Sequence, residues 1–435
     1  MHGARSVFCL WVVVLFLALA ACKPADITSQ AIPELPDTIV NTPSRPPVRT
    51  VFPTEEILRG TVSIRHSWDE AKLPVLAQII KNFQAFHPNV MFDVMYIPQE
   101  TLLDRFAADS REGIGPTLLL APPEWGPLLY DQKLVADLTT EIDTNVLDTL
   151  NQPALETANQ EGKLIGLPYS IQGVVLFRNK DIITIKPDTF DDLVLLAQTS
   201  SQGDVIGAYL ERSFLYSSAH LNGIGGQLID SNGLPGFNNS KGVAWLELLK
   251  SFEQAGPTAT YSDDDLERFK AGKVGWIIDG TWNLAALEEA IGAEKLAIDP
   301  WPRYGSGHLS GYVLSEDIYL NSNANPADRR AAIEFMEYLV SPEAQTLLAK
   351  NGLIPSANQV YLDNSASANL VTQAMIALSG GTAYPNFPEL SIYQQNIETA
   401  LRAFFEHSLP VEQALQNAQD AILAQSAQST PLAQP

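Results

Sequence analysis

The chain has 435 residues, which is enough for two lobes or domains. Hydrophobic residues make up 46% of the sequence, an ordinary share for a globular protein. The formal net charge of -23 argues against binding to nucleic acid and against broad adhesion to anionic lipid, because both require clustered Lys and Arg.

The first 22 residues are typical of an export signal. Arg5 precedes a short apolar run that ends in Leu-Ala-Ala-Cys at 19–22. A basic start, an apolar stretch and small residues before a cleavage point are the features of a secretory signal. The last four residues resemble a bacterial lipoprotein box, which predicts a signal peptide over 1–21 and a lipid on Cys22. The alternative is an ordinary signal peptide with an incidental cysteine.

The region after the signal has neither thiols nor early secondary structure. Cys9 lies within the predicted signal, so no cysteine after Cys22 is left for a disulfide, a thiolate metal site or a nucleophile. Residues 22–59 contain seven prolines and no apolar periodicity. This composition predicts a semi-extended linker that separates a folded body from the anchored cysteine.

Strands and helices alternate from Gly60 onwards. Alternating β-branched residues predict a strand over 61–66, and apolar residues at helical spacing predict a helix over 73–86. The next predicted elements are a strand over 90–97, a helix over 99–110, a strand over 117–122 and a helix over 125–130. This alternation is typical of a mostly parallel α/β sheet.

The rest of the chain continues the α/β pattern. Further strands are predicted over 163–169, 173–179, 274–279, 295–302 and 310–321. Further helices are predicted over 189–199, 210–222, 240–255, 282–291, 326–340, 342–350, 366–379, 390–407 and 411–425, followed by a disordered tail over 426–435. This order favours two α/β lobes, with a ligand bound between them outside the carboxyl ends of the strands.

Signatures of catalysis are missing from the sequence. It has no Gly-x-Ser-x-Gly elbow and no P-loop, and no two histidines stand at metal-binding helical spacing. A pair of carboxylates, as exported glycosidases use, remains an alternative, although no spacing singles out a pair. The sequence therefore predicts a protein that is not an enzyme and that has no metal and no cofactor.

Aromatic side chains follow several of the predicted strands. Trp68, Trp125 and Trp282 come directly after strand ends and stand among Asp, Glu and Asn residues. An aromatic ring stacks on the C–H face of a sugar while polar neighbours bind its hydroxyl groups, so this pattern favours a carbohydrate cleft. The alternative is that these rings pack between helices and lobes.

Four segments carry a family resemblance: GKLIGLPYS (162–170), FKAGKVGWIIDGTWNLAAL (269–287), AAIEFMEYLVSPEAQTLLAKNGLIPS (331–356) and YPNFPEL (384–390). In this order they resemble the extracellular solute-binding proteins of bacterial sugar-importing ATP-binding-cassette (ABC) transporters, the maltose-binding-protein-like group known as family 1. The resemblance covers about 60–424. It implies an α/β, two-lobe, type II periplasmic-binding-protein-like fold with a ligand cleft between lobes that are joined by hinge crossings.

The resemblance also implies lobe boundaries. The N-terminal lobe would comprise 60–170 and 314–353, and the C-terminal lobe 174–308 and 358–425. The hinge crossings would lie near 169–173, 309–313 and 353–358.

A role in import follows from the resemblance. It implies a monomeric substrate-binding lipoprotein of an ABC importer, held outside the cytoplasm on the cell membrane by its lipid. This protein would bind a sugar or oligosaccharide, deliver it to the transmembrane permease subunits, and bind no nucleic acid. The alternative is the same fold with a polyamine, glycerol phosphate or another small polar solute as its ligand.

The resemblance further implies a set of ligand-binding residues: Trp282, Trp125, Glu124, Trp68, Asp69, His66, Tyr169, Gln172, Tyr216, Tyr312 and Tyr393. Trp282 occupies the stacking position of the family's Gly-x-Trp motif. Gln172 stands where some members have a carboxylate, so a hydrogen bond from it would be uncharged. Near YPNFPEL, the sugar-stacking tryptophan of some relatives is absent and Tyr393 or Gln394 stands close to its position.

Overall fold

The computed structural model describes residues 57–70, 72–360 and 362–429. The predicted signal peptide, Cys22 and all but the last three residues of the predicted linker lie outside the described residues. The first described element begins at Gly60, where the sequence predicts the folded body to start.

The strands are β1 (Gly60–His66), β2 (Val90–Tyr96), β3 (Leu118–Ala121), β4 (Asn159–Gln160), β5 (Lys163–Leu164), β6 (Leu167–Asn179), β7 (Ile206–Glu211), β8 (Thr258–Ala259), β9 (Val274–Gly280), β10 (Leu296–Asp299), β11 (Arg303–Tyr304), β12 (Gly307–His308), β13 (Tyr312–Leu320), β14 (Ile354–Pro355) and β15 (Thr382–Ala383).

The helices are α1 (Leu73–Phe86), α2 (Gln99–Arg111), α3 (Trp125–Asp131), α4 (Thr144–Leu147), α5 (Gln152–Thr157), α6 (Phe190–Ser200), α7 (Phe214–Ser217), α8 (Ala219–Gly223), α9 (Ser240–Ser251), α10 (Asp264–Lys270), α11 (Leu284–Ile291), α12 (Pro326–Leu339), α13 (Pro342–Lys350), α14 (Ala366–Ser379), α15 (Leu390–Phe405) and α16 (Val411–Ser429).

Local sequence signals account for several of these bounds. Helix α1 covers 73–86 as predicted and buries Leu76, Ile79 and Phe83, which share one face at the spacing of a helix. Helix α14 covers 366–379, again as predicted, and begins behind Ser365, whose hydroxyl accepts a hydrogen bond from the Ala368 amide at 3.2 Å.

Strand β6 connects the two halves of the main sheet, which has the order β2-β1-β3-β13-β6-β9-β7-β8. The part of β6 before Val174 pairs antiparallel with β13, in a register that includes Leu167 opposite Ile318 and Gly173 opposite Val313. The part from Val174 onwards pairs antiparallel with β9 on one side and with β10 on the other. The two strands predicted over 163–169 and 173–179 are therefore mainly one continuous strand.

Separate apolar cores lie on the two halves of this sheet. One core packs β1, β3 and β13 against α1, α12 and α13. A second core packs β7 and the second part of β6 against α9, α15 and α16, and Trp245 and Trp276 are fully buried in it. Each half therefore has the separate hydrophobic core that an individual lobe needs.

The single helix predicted over 210–222 is wrong. Residues 210–222, predicted as one helix, contain the end of β7 and the short helices α7 and α8. Strand β7 exists because it pairs in parallel with β9, placing Ala208 opposite Trp276, and this pairing overrides local propensity.

The tail predicted to be disordered over 426–435 begins in a helix, because α16 continues to Ser429. Leu415, Ala418 and Ile422 on this helix are buried against the second core, and the Ala and Gln residues that follow are good helix formers. Residues 430–435 lie outside the described residues. Within residues 57–70, 72–360 and 362–429, no helix has the length and hydrophobicity needed to span a bilayer.

Candidate ligand-binding cleft

A cleft of about 860 Å³ opens where β6 passes from one half of the sheet to the other. Its walls come from both halves: the loop after β1, the middle of β6, the turn after β9, and the segment between the end of α13 and the start of α14. Five of the residues predicted to bind ligand line this cleft: Trp68, Asp69, Tyr169, Gln172 and Trp282.

A hydrogen-bonded aromatic pair forms one wall. The Trp68 Nε1–H donates to the Tyr169 Oη at 2.9 Å, and the two ring centroids lie 5.7 Å apart. Tyr169 is the extra residue of a β-bulge, because Ser170 pairs with Glu316 whereas Pro168 pairs with Asp317. A bulge re-aims side chains locally, and here it brings the phenol to the indole.

His66 holds the backbone of Trp68 in place. Its Nδ1 accepts the backbone N–H of Trp68 at 3.1 Å, which fixes the turn at the end of β1. The side chain is buried, and burial lowers the pKa of His66, so the ring stays neutral near pH 7 and remains able to accept this hydrogen bond. His66 therefore supports Trp68 and does not itself line the cleft.

Trp282 forms the opposite wall. Its side chain is 42% exposed, and its indole folds back over Gly280, where an added Cβ would lie only 1.9 Å from the indole Cε2. The residue between them, Thr281, accepts the backbone N–H of Gly173 through its Oγ1 at 3.0 Å, which ties this turn to β6. The Gly-x-Trp motif therefore has a steric basis, since only glycine leaves room for this indole position.

Tyr216 lies beside Trp282, with 6.4 Å between their ring centroids. Burial raises the pKa of the Tyr216 phenol well above its usual range, and the charges of Asp279 and Glu211 raise it further. The phenol therefore keeps its proton and can donate a hydrogen bond.

Glu124 and Trp125 follow β3 but are not part of the cleft lining. Trp125 is half-buried and packs on the apolar core between α2, α3 and β13. Glu124 is exposed, yet it is close enough to the cleft for its charge to raise the pKa of Glu316.

Tyr312 and Tyr393 are buried in the second core, whereas the sequence predicts that they contact the ligand. Tyr312 is fully buried, 5.2 Å between centroids from Tyr384, and Tyr393 is 3% exposed and packs edge-on against Phe387. Both phenol rings therefore pack in the apolar interior and do not line the cleft.

The sequence analysis missed a group of polar cleft residues. These are Ser67, Lys72, Gln99, Glu288, Glu316, Lys350, Asp363, Ser365 and Ser367. Glu316 had a recognisable signal, because a carboxylate pair at 316–317 stands in the middle of an otherwise buried strand.

The carboxylates on β13 are unusual in their protonation. Burial raises the pKa of Glu316 to about 7, where the nearby Glu124 charge adds to the shift and Lys72 opposes it. Burial also raises the pKa of the neighbouring Asp317 to about 7. Among the described residues, no three His, Cys, Asp or Glu side chains are grouped as metal ligands.

An interlobe cleft beside a strand shared by two α/β halves defines a two-lobe binding protein of the type II class. The sequence model described as bacterial extracellular solute-binding protein matches residues 78–373, more than half of the chain, and the chain belongs to this family. The fold class and the family that the sequence predicts are confirmed.

Individual relatives agree with this assignment. The chain is 24% identical to a galactooligosaccharide-binding protein of Bacillus subtilis, over 82% of this chain and 88% of the relative. It is also 24% identical to a maltooligosaccharide ABC transporter solute-binding lipoprotein of Streptococcus pneumoniae, over 66% and 71%. The fold is similar to that of an extracellular solute-binding protein of Staphylococcus aureus in complex with maltose, with a TM-score of 0.75, 20% identity and coverage of 85% and 99%.

Proposed function

We propose that this solute-binding protein takes up a sugar or oligosaccharide in the cleft and delivers it to the transmembrane subunits of an ABC importer. The observation that carries the proposal is the partly exposed indole of Trp282, which packs over Gly280 and lines the same cleft as the Trp68–Tyr169 pair. The Trp282 indole offers the apolar surface on which a sugar ring stacks, and the polar side chains of the lining suit the hydroxyl groups of that ring.

The size of the cleft supports an oligosaccharide over a single sugar. Its volume of about 860 Å³ is in the upper part of the range of ~300–1,000 Å³ that is typical of small-molecule sites. Polar side chains such as Ser67, Gln99 and Gln172 stand along the lining and can bind several hydroxyl groups. Relatives named for binding galactooligosaccharides and maltooligosaccharides support the same ligand class.

The proposal includes the arrangement of the chain. The N-terminal lobe comprises 60–170 and 314–353, the C-terminal lobe comprises 174–308 and 358–425, and the ligand stabilises the closed form by hinge rotation. Cys22 carries a lipid that anchors the protein outside the cytoplasm, and a relative described as a lipoprotein supports this. The protein performs no reaction on its ligand and acts as a monomer.

The proposal is tested by calorimetric titration of the purified protein with neutral oligosaccharides, the corresponding monosaccharides, spermidine and glycerol phosphate. We expect saturable binding of an oligosaccharide and no change in its composition after prolonged incubation. At ~100 times the dissociation constant, the ligand should add about 2.7 kcal/mol to the unfolding free energy and raise the melting temperature. Binding of spermidine or glycerol phosphate with no binding of any sugar would refute the proposal.

A further inference from the structure

We propose that the cleft selects an oligosaccharide that carries protonated amino groups, and that Glu316 is the residue that binds the ammonium group. This inference rests on the function proposed above, since it names the chemical class of the ligand for the same cleft.

Glu316 is placed in the cleft by the β-bulge. It lies on β13, opposite Ser170, at the point where the β13–β6 register shifts, and it lines the cleft together with Tyr169 and Trp68. Its neighbours in the strand, Ser315 and Asp317, are buried to 1% and 0% exposure. A glutamate at this position therefore places a carboxyl group, which is negatively charged when ionised, in the wall of the cleft at a point surrounded by buried structure.

The protein does little to compensate this charge. The effects on the pKa of Glu316 are burial, the Glu124 charge and an opposing contribution from Lys72, and none of them is a hydrogen bond. Lys72 also pairs with Asp69, with Nζ and Oδ2 3.4 Å apart. The neighbouring Asp317 differs, because its Oδ2 accepts a hydrogen bond from the Tyr319 hydroxyl at 3.1 Å.

Acidic residues outnumber basic residues in the cleft lining. The acidic residues of the lining are Asp69, Glu288, Glu316 and Asp363, whereas the basic residues are Lys72 and Lys350. On the opposite wall, Asp279 and Glu211 act on Tyr216, which lies beside Trp282. Both aromatic walls therefore stand in the field of carboxylates.

A cationic group on the ligand would offset the free-energy cost of an unpaired carboxylate at Glu316. A carboxylate withdrawn from water is unfavourable unless it is paired, and an ammonium group supplies both a charge and hydrogen-bond donors. A neutral hydroxyl group supplies one donor and no charge, so it compensates Glu316 only in part.

The lining favours an amino sugar over a linear polyamine. A polyamine has no flat face to cover the partly exposed indole of Trp282, and it does not use the hydroxyl-binding side chains Ser67, Gln99 and Gln172. A sugar ring with an amino substituent can stack on the Trp282 indole and bind the amide and hydroxyl groups and Glu316 together.

The experiment is calorimetric titration of the full-length protein with oligosaccharides in matched pairs, one with amino groups and one with hydroxyl groups at the same ring positions. Glucosamine oligomers and their glucose counterparts form one such pair. We expect the aminated member to bind ~10- to 100-fold more tightly, the range expected for one charged hydrogen bond. In Glu316→Gln this preference should fall to within a few-fold, whereas Glu289→Gln, an exposed carboxylate on α11 outside the cleft lining, should retain it.

The outcomes separate this inference from the proposed function. Tight binding of neutral oligosaccharides without a preference for amines would overturn the inference and leave the proposed function standing. A preference for amines that persists in Glu316→Gln would overturn the role of Glu316. Binding of no sugar at all would overturn both, and thermal melting of Glu316→Gln establishes that the variant is folded in each comparison.

Discussion

The position of the Trp282 indole depends on the residue two places before it. Any Cβ at Gly280 would collide with the indole, so the exposed aromatic wall of the cleft requires glycine there. On the other wall, Tyr169 reaches Trp68 only because a bulge makes it the extra residue of β6. Single residues therefore decide where the aromatic side chains of the cleft lining stand.

Replacing the most exposed aromatic side chain of the cleft should weaken binding without unfolding the protein. We expect Trp282→Ala to weaken the binding free energy for the oligosaccharide by about 1–3 kcal/mol, because stacking is lost while little buried surface is removed. Calorimetric titration and thermal melting measure the two effects. Tyr261→Ala is the control, since Tyr261 is a 45% exposed aromatic residue outside the cleft lining. Unchanged affinity in Trp282→Ala would remove the main support for the proposed function.

Strand β6 is the element on which both halves of the molecule depend. It pairs with β13 before Val174 and with β9 from Val174 onwards, so its middle residues belong to the boundary between the halves. At this boundary Gly173 lies close to its neighbours: an added Cβ would be 2.2 Å from the Tyr312 carbonyl oxygen and 2.7 Å from Leu378 Cδ2. The backbone there cannot move aside without disturbing the strand pairing in both halves of the sheet.

A methyl group at this boundary should therefore destabilise the fold. We expect Gly173→Ala to lower the unfolding free energy by ~1–3 kcal/mol, the usual cost of overpacking. Denaturant titration measures the loss. The matched control is Gly380→Ala, because the nearest atom to a Cβ there is 3.8 Å away, in open space at the end of α14. Equal stability of both variants would show that β6 tolerates displacement at the boundary.

At the scale of the whole molecule, several acidic side chains are buried in the interior, in addition to those on the surface. Burial is the largest cause of a pKa of about 7 for Asp265, Glu316, Asp317 and Glu398. The folded protein keeps these protons up to about pH 7, whereas the unfolded chain releases them near pH 4. Their favourable contribution to stability is complete below about pH 4 and is lost as the pH rises through 7.

We therefore expect a higher unfolding free energy at pH 5.5 than at pH 8. His66 and His220 act in the opposite direction, because burial lowers the pKa of both and stability is lost as the pH falls below 6.5. The raised carboxyl groups outnumber them, so the carboxyl effect should dominate. Denaturant titrations at the two pH values measure the difference, and Glu316→Gln should reduce it by stabilising the protein at pH 8. Greater stability at pH 8 than at pH 5.5 would contradict the prediction.

The sequence by itself determined the class of fold, the bounds of several regular elements and part of the cleft. Apolar periodicity and capping residues act over one element, and for α1 and α14 they predicted both ends. The Gly-x-Trp motif placed Trp282 at the cleft because its steric requirement lies within three residues. Trp68 and Tyr169 were predicted from their positions after strands and from the family resemblance.

The tertiary structure alone decided the features that depend on distant parts of the chain. Strand β7 was missed because it is stabilised by pairing with β9, more than sixty residues later. Glu316 lines the cleft because β13 pairs with β6 across a bulge, and Tyr393 is buried because Phe387 and the second core cover it. Local patterns report which residues avoid water, whereas strand register and the packing of distant elements decide which polar and aromatic groups face a ligand.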